Sequence, residues 1–259
     1  MFEAKIIKGE ILKKAIEAIK DLIQEATLDC SENGISLQAM DTSHVSLVSL
    51  LLRSEGFETY RCDRNINLGL NVVSVSKILK CLGSNDSLTM KAADSNDTIS
   101  FLIESSNESE LSEFEIKLMD IEGDHLGIPD TEYKCIVKMP SAKLQKICKE
   151  MSQMGEAITI TVAKDGVTFV STGDIGNGKT TLHQNSSADK ENEGVTIEMT
   201  EPVSMTYSLR YFNMFAKAAP LSPIVSLSLT ENVPAVVEFL IDDIGYIRYY
   251  LAPKIEDDE

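Results

Sequence analysis

The 259-residue sequence predicts an α+β fold written twice: two tandem similar domains in which antiparallel sheets back helices on one side. The first observation is an internal repeat. "ILKKAIEAI" (11–19) aligns with "KLQKICKEM" (143–151) at an offset of 132, matching Leu12 to Leu144, Lys14 to Lys146 and Ile16 to Cys148. The same offset aligns "GISLQA" (34–39) with "GVTFVS" (166–171), and "ISFLIES" (99–105) meets "VEFLIDD" (237–243) at an offset of 138. Similar segments in one order, at a nearly constant offset, mark two copies of one unit. The second observation is the balance of elements: eleven short stretches alternate or run apolar, against four helical ones. Strands and helices therefore do not alternate one for one, which argues against a parallel doubly wound sheet.

In chain order, the first helix is expected over 10–22, with Glu17 and Asp21 sharing its outer face with lysines. "GISLQAM" and "VSLVSLLL" come next as strands. The second helix is expected over 72–81, where Val72, Val75, Ile78, Leu79 and Leu82 recur at three- and four-residue spacing. That spacing gathers them within about 120° of arc and leaves Lys77 and Lys80 opposite. "SLTMKA" and "TISFLI" complete the first copy. The second copy opens with a helix over 141–153, its stripe Leu144, Ile147, Cys148 and Met151, with Lys143, Lys146 and Lys149 facing away. "AITITV", "GVTFVS", "VTIEM" and "VSMTYSL" are strands. A fourth helix over 209–218 keeps Leu209, Phe212, Phe215 and Ala216 inside and Arg210 and Lys217 outside. "IVSLSL", "VVEFLI" and "IRYYLA" close the chain.

The charge is segregated. The chain as a whole carries −17, yet the four helical stretches carry ten basic residues and four acids, leaving 14 basic and 37 acidic residues elsewhere. Lysines on helices, without an Arg/Asn/Gln reading set, suit phosphate contact and not base readout. Stacking aromatics, the mark of single-strand binders, are missing from these faces. The expectation is a salt-sensitive, sequence-independent contact with duplex DNA on one face of an acidic body. The alternative is four ordinary solvated faces.

Other classes find less support. With 43% hydrophobic residues and no run of eighteen apolar ones, the chain is predicted to be globular, with no membrane partner and no secretory leader. Cys30, Cys62, Cys81, Cys135 and Cys148 lie far apart without a CxxC pair, which predicts a reducing compartment and no zinc. His44, His125 and His183 form no ligand spacing, there is no GxSxG, and basic neighbours make Cys62 at most a candidate reactive thiol. No catalytic residue, metal or cofactor is assigned. One motif does compete: "GDIGNGKT" (173–180) fits the phosphate-binding loop, and "VEFLID" (237–242) resembles its magnesium-side strand. The chemistry needs a helix straight after the loop. The next residues, "TLHQNSSADKENEG", have no helical stripe, so a loop-and-strand segment is the competing reading.

Between the copies, "LMDIEGDHLGIPDTEYK" (118–134) is acidic and holds Gly123, Gly127 and Pro129, as an extended connector does. Leu126 and Ile128 within it either tack the connector down or form an apolar patch where peptides dock. The tail "LAPKIEDDE" suits strand-like peptide pairing.

"GISLQAMDTSHVSLVSL" (34–50) and "YRCDRNINLGLNVVSVSKILK" (60–80) resemble the two signature segments of the proliferating cell nuclear antigen family, the eukaryotic DNA sliding clamps. "KMPSAKLQKICKEM", "AKDGV", "GDIGNG" and "YYLAPKIEDDE" are similar to the matching parts of the family's second half, so the likeness runs the length of the chain. The resemblance implies a non-enzymatic, nuclear processivity factor: a head-to-tail homotrimeric ring whose helices line a channel around duplex DNA. It implies domains at 1–117 and 135–259 joined by the connector 118–134. The channel residues it implies are Lys13, Lys14, Lys20, Lys77, Lys80, Lys146, Lys149, Arg210 and Lys217. The implied subunit contact pairs a strand holding Phe114 and Lys117 with one holding Ile175, Gly178 and Leu182. A pocket for partner peptides would comprise Met40, His44, Val45, Leu47, Leu126, Gly127, Ile128, Pro129, Pro234, Tyr250, Ala252, Pro253 and Lys254. Implied partners are the replicative DNA polymerase, clamp loader, flap endonuclease and DNA ligase, and Lys164 matches the ubiquitin acceptor of damage tolerance and translesion synthesis. The chain departs from the pattern at Gly127, a modifiable lysine in some members, at Gln153, and at Lys179 with the subsequent "ADKENEG". A phosphate-loop NTPase and a monomeric acidic scaffold remain the alternatives at this point.

Overall fold

The structure, a computed structural model, describes residues 1–93, 97–121, 126–128, 131–185 and 194–254. It divides into two compact units, one of Met1–Thr42, Val48–Leu126 and Ile241–Ile247, the other of Ser43–Leu47, Gly127–Leu240 and Arg248–Glu259. The first copy of the repeat runs β1 (Phe2–Ile6), α1 (Glu10–Ile19), β2 (Glu25–Ser31), β3 (Gly34–Met40), β4 (Ser46–Arg53), β5 (Thr59–Cys62), β6 (Ile66–Asn71), α2 (Val72–Leu79), β7 (Ser87–Ala92), β8 (Thr98–Glu104) and β9 (Leu111–Lys117). In the second copy the order is β10 (Cys135–Pro140), α3 (Ser141–Met151), β11 (Ala157–Ala163), β12 (Gly166–Gly173), β13 (Gly176–Leu182), β14 (Thr196–Met199), β15 (Val203–Ser208), α4 (Leu209–Phe215), β16 (Ile224–Leu229), β17 (Ala235–Ile241) and β18 (Gly245–Leu251).

Pairing repeats as faithfully as order. β1 lies antiparallel between β5 and β7, as β10 lies between β14 and β16. β2 lies between β3 and β6, as β11 lies between β12 and β15. Gly34 and Gly166 stand at the repeat offset with φ of +136° and +150°. A Cβ on either would sit 2.1 Å from the Leu52 carbonyl oxygen or 2.3 Å from that of Leu182, so both turns need glycine. The cores follow the period-two pattern: β1 buries Phe2, Ala4 and Ile6, and β8 buries Ile99, Phe101 and Ile103. In the second unit Phe215 stacks on Tyr249 at 4.5 Å between ring centroids, and Phe239 meets the same ring edge-on.

Several expectations need correction. The fourth helix ends as an α-helix at Phe215, and residues Ala216–Leu221 continue as a 3-10 turn containing Pro220. Proline lacks the N–H that an α-ladder needs, and the tighter turn accommodates it. The first and third helices also stop early, at Ile19 and Met151. Seven strands were not legible from the local pattern: β1, β2, β5, β6 and β10, together with β9 and β13, which only the family resemblance implied. "EATLDCS" carries two acids and "CIVKMP" a proline, and their partners lie far away in sequence. Ile78, expected inside, is half-exposed, while Ser76 takes the buried place.

Candidate nucleic-acid interface

Within the first unit, α1 and α2 pack side by side. Leu12, Ala15, Ile16 and Ile19 are buried from α1, and Val72, Val75 and Leu79 from α2. Asn71 caps α2: its Oδ1 accepts from the Ser74 N–H at 2.9 Å. Ser76 is buried because its hydroxyl donates to Glu17 Oε1 at 2.6 Å, tying the two helices together. Glu17 also pairs with Lys20. Burial pushes the Glu17 carboxyl up, but hydrogen bonds from Lys20 and Ser76, with the charges of Lys20 and Lys80, hold it below its ordinary value.

The predicted cations fall into distinct groups. Lys13 is half-buried, its Nζ donating to the Leu82 carbonyl at 2.8 Å. Lys14 pairs with Glu10 at 3.1 Å one turn earlier. Lys77 and Lys80 are exposed and form no ion pair with a described residue.

In the second unit, α3 and α4 pack in the same manner. Leu144, Ile147, Cys148 and Met151 are buried as expected, and burial pushes the Cys148 thiol up to about 12. Gln145 donates to the Ala216 carbonyl at 3.2 Å, and Asn213 donates to Ser152 Oγ at 2.6 Å. Lys143, Lys146, Lys149, Arg210 and Lys217 are exposed, and Lys146 pairs with Glu150 at 3.6 Å. Lys149 and Arg210 form no ion pair with a described residue. Each unit thus presents a helix pair whose inner faces are apolar and whose outer faces carry cations, several outside ion-pair distance of any described acid.

The competing phosphate loop does not survive. Gly173 and Gly176 close a hairpin between β12 and β13, and Lys179 sits in β13 opposite Val170. β13 continues to Leu182, so the residues directly after the glycines form a strand where a nucleotide loop needs the amides of a helix N-terminus.

Residues 1–126 match the family model described as proliferating cell nuclear antigen, N-terminal domain, and residues 127–254 match the one described as proliferating cell nuclear antigen, C-terminal domain. The chain belongs to the proliferating cell nuclear antigen family of DNA sliding clamps. Its two tandem domains of mostly antiparallel sheet and four helices have the clamp fold.

The remaining residues singled out for this sliding-clamp chain lie as follows. β9 ends its five-stranded sheet, placing Phe114 opposite Phe101 and Lys117 opposite Thr98. β13 ends a four-stranded sheet, with Gly178 opposite Ser171 and Leu182 opposite Val167. Leu111, at the start of β9, is 64% exposed, and Ile175, at the β12–β13 turn, is 78% exposed. In the second unit, His44 and Val45 are exposed while Leu47 is buried. The Ala252 N–H donates to the Val45 carbonyl at 3.1 Å, and the Lys254 N–H donates to that of Thr206 at 2.8 Å, which fixes the tail through Pro253. Gly127, Ile128 and Pro234 are exposed, and Tyr250 is half-buried.

Sequence reasoning missed Tyr133. Its hydroxyl donates to the Pro234 carbonyl at 3.3 Å, and burial, then the Tyr250 charge, raises its pKa. A tyrosine in a connector with no other Phe, Tyr or Trp was the signal that could have found it. In the first unit, the Leu126 N–H donates to Gln38 on β3, the strand that ends at Met40. Pro129, His125 and most of "ADKENEG" lie outside the described residues. Lys164 is exposed in the β11–β12 turn, where the Asp165 carbonyl lies 2.7 Å from His183 Nδ1. Among the described residues, no three His, Cys, Asp or Glu side chains gather as metal ligands.

Proposed function

We propose that this chain is a non-enzymatic processivity clamp, closing as a homotrimeric ring around duplex DNA and tethering replication and repair proteins. The observation that carries the reading is the exposed cations Lys77, Lys80, Lys149 and Arg210, none within ion-pair distance of a described acid, in a chain of this family. Lys14, Lys20, Lys146 and Lys217 would add weaker phosphate contacts. Such contacts are individually weak and exchange freely, so a closed ring can slide while topology prevents escape. The ring would close by pairing the β9 edge of one copy with the β13 edge of the next, a heterologous contact repeated three times. Val45, Ile128, Pro234, Tyr250 and Pro253, joined by Tyr133, would receive peptides from the replicative DNA polymerase, clamp loader, flap endonuclease and DNA ligase. Lys164 would accept ubiquitin during translesion synthesis in the nucleus. The test is the double variant Lys77→Glu/Lys80→Glu. It should abolish stimulation of polymerase processivity while the trimer persists; full stimulation by the intact variant trimer would overturn the reading.

A further inference from the structure

Lys13 stands apart from the other cations of the first unit. Its Nζ donates to the Leu82 carbonyl, three residues past the end of α2. The Leu82 N–H itself bonds back to the Leu79 carbonyl, so the Lys13 contact ties α1 to the turn that ends α2. At the repeat offset of 132 the second copy has Gln145, and its Nε2 donates to the Ala216 carbonyl, one residue past the end of α4. Both copies therefore place a donor from the same position of the first helix on a backbone carbonyl just beyond the α-helical part of the second, Leu82 in one copy and Ala216, where the 3-10 turn begins, in the other. Neutralising a phosphate requires charge at this position, whereas a clasp requires only a donor. The repeat retains the donor and discards the charge.

We propose that Lys13 is a positioning residue, a clasp that fixes α2, with Lys77 and Lys80, against α1, and not a group that meets phosphate. This rests on the reading of these helices as the DNA face. The experiment compares the full-length protein with Lys13→Gln, Lys13→Met and Lys77→Gln variants. It measures apparent affinity for a short linear duplex across a salt series, together with thermal melting. Removing one phosphate contact flattens the slope of log affinity against log salt by about 0.9. Lys77→Gln should flatten the slope and Lys13→Gln should leave it unchanged. Lys13→Met should lower the melting temperature by about 2–4 °C, and Lys13→Gln, which keeps a donor, should restore it. A slope flattened by Lys13→Gln as much as by Lys77→Gln would overturn the clasp, as would a Lys13→Met variant that melts like the wild type. A flat response to Lys77→Gln would instead overturn the DNA-face reading, and the melting comparison would still decide the clasp.

Discussion

Glu17 is an acid on a basic face, and its surroundings explain its place there. Ser76 donates to it from α2 and Lys20 pairs with it along α1, so the carboxylate form is the one that joins the helices. Its folded pKa is depressed below the ordinary value of 4.5. A depressed acid stabilises the fold above its unfolded pKa, and that contribution disappears as pH falls through the folded value. Glu17→Gln should therefore be less stable than the wild type at neutral pH, with the difference shrinking below pH of about 4, as read by denaturant melts across pH. Residue roles of this kind were only partly legible in the sequence. The outward side of Lys77, Lys80, Lys149 and Arg210 follows from helical spacing alone. The tie at Ser76 and the clasp at Lys13 do not, because each depends on a helix dozens of residues away.

Among the elements, α2 shows how a short helix is held. Eight residues are too few for a helix to persist alone, so its cap and its buried face decide its stability. Asn71→Ala removes the side-chain acceptor for the Ser74 amide and should cost about 1 kcal/mol, measured by chemical denaturation. Asn71→Ser or Asn71→Asp should recover most of it. The helices and the strands with clean alternation, such as "TISFLIE" and "IVSLSL", were readable because their patterns are set by one buried face. The four-residue β5 and the acid-bearing β2 were not, since their strand state comes from pairing with β1 and with β3 and β6.

For the whole molecule, the repeat was the most informative feature of the sequence. Among the described residues, β9 is the edge strand of a five-stranded sheet in the first copy and β13 the edge strand of a four-stranded sheet in the second. Exposed Leu111 and Ile175 at those strands leave apolar surface that a neighbouring copy would cover. The native mass should accordingly be near three times 28.5 kDa by light scattering. Charge segregation obeys the same logic, since an acidic body with basic helix faces favours DNA at those faces and repels it elsewhere. In the proposed ring, topology and not contact strength would hold the DNA. The direct measurement loads the protein onto closed circular DNA and then linearises it. Retention on the circle, followed by rapid loss from the free ends after cutting, is the predicted result. Equal retention on circular and linear DNA, or no retention on either, would contradict encirclement.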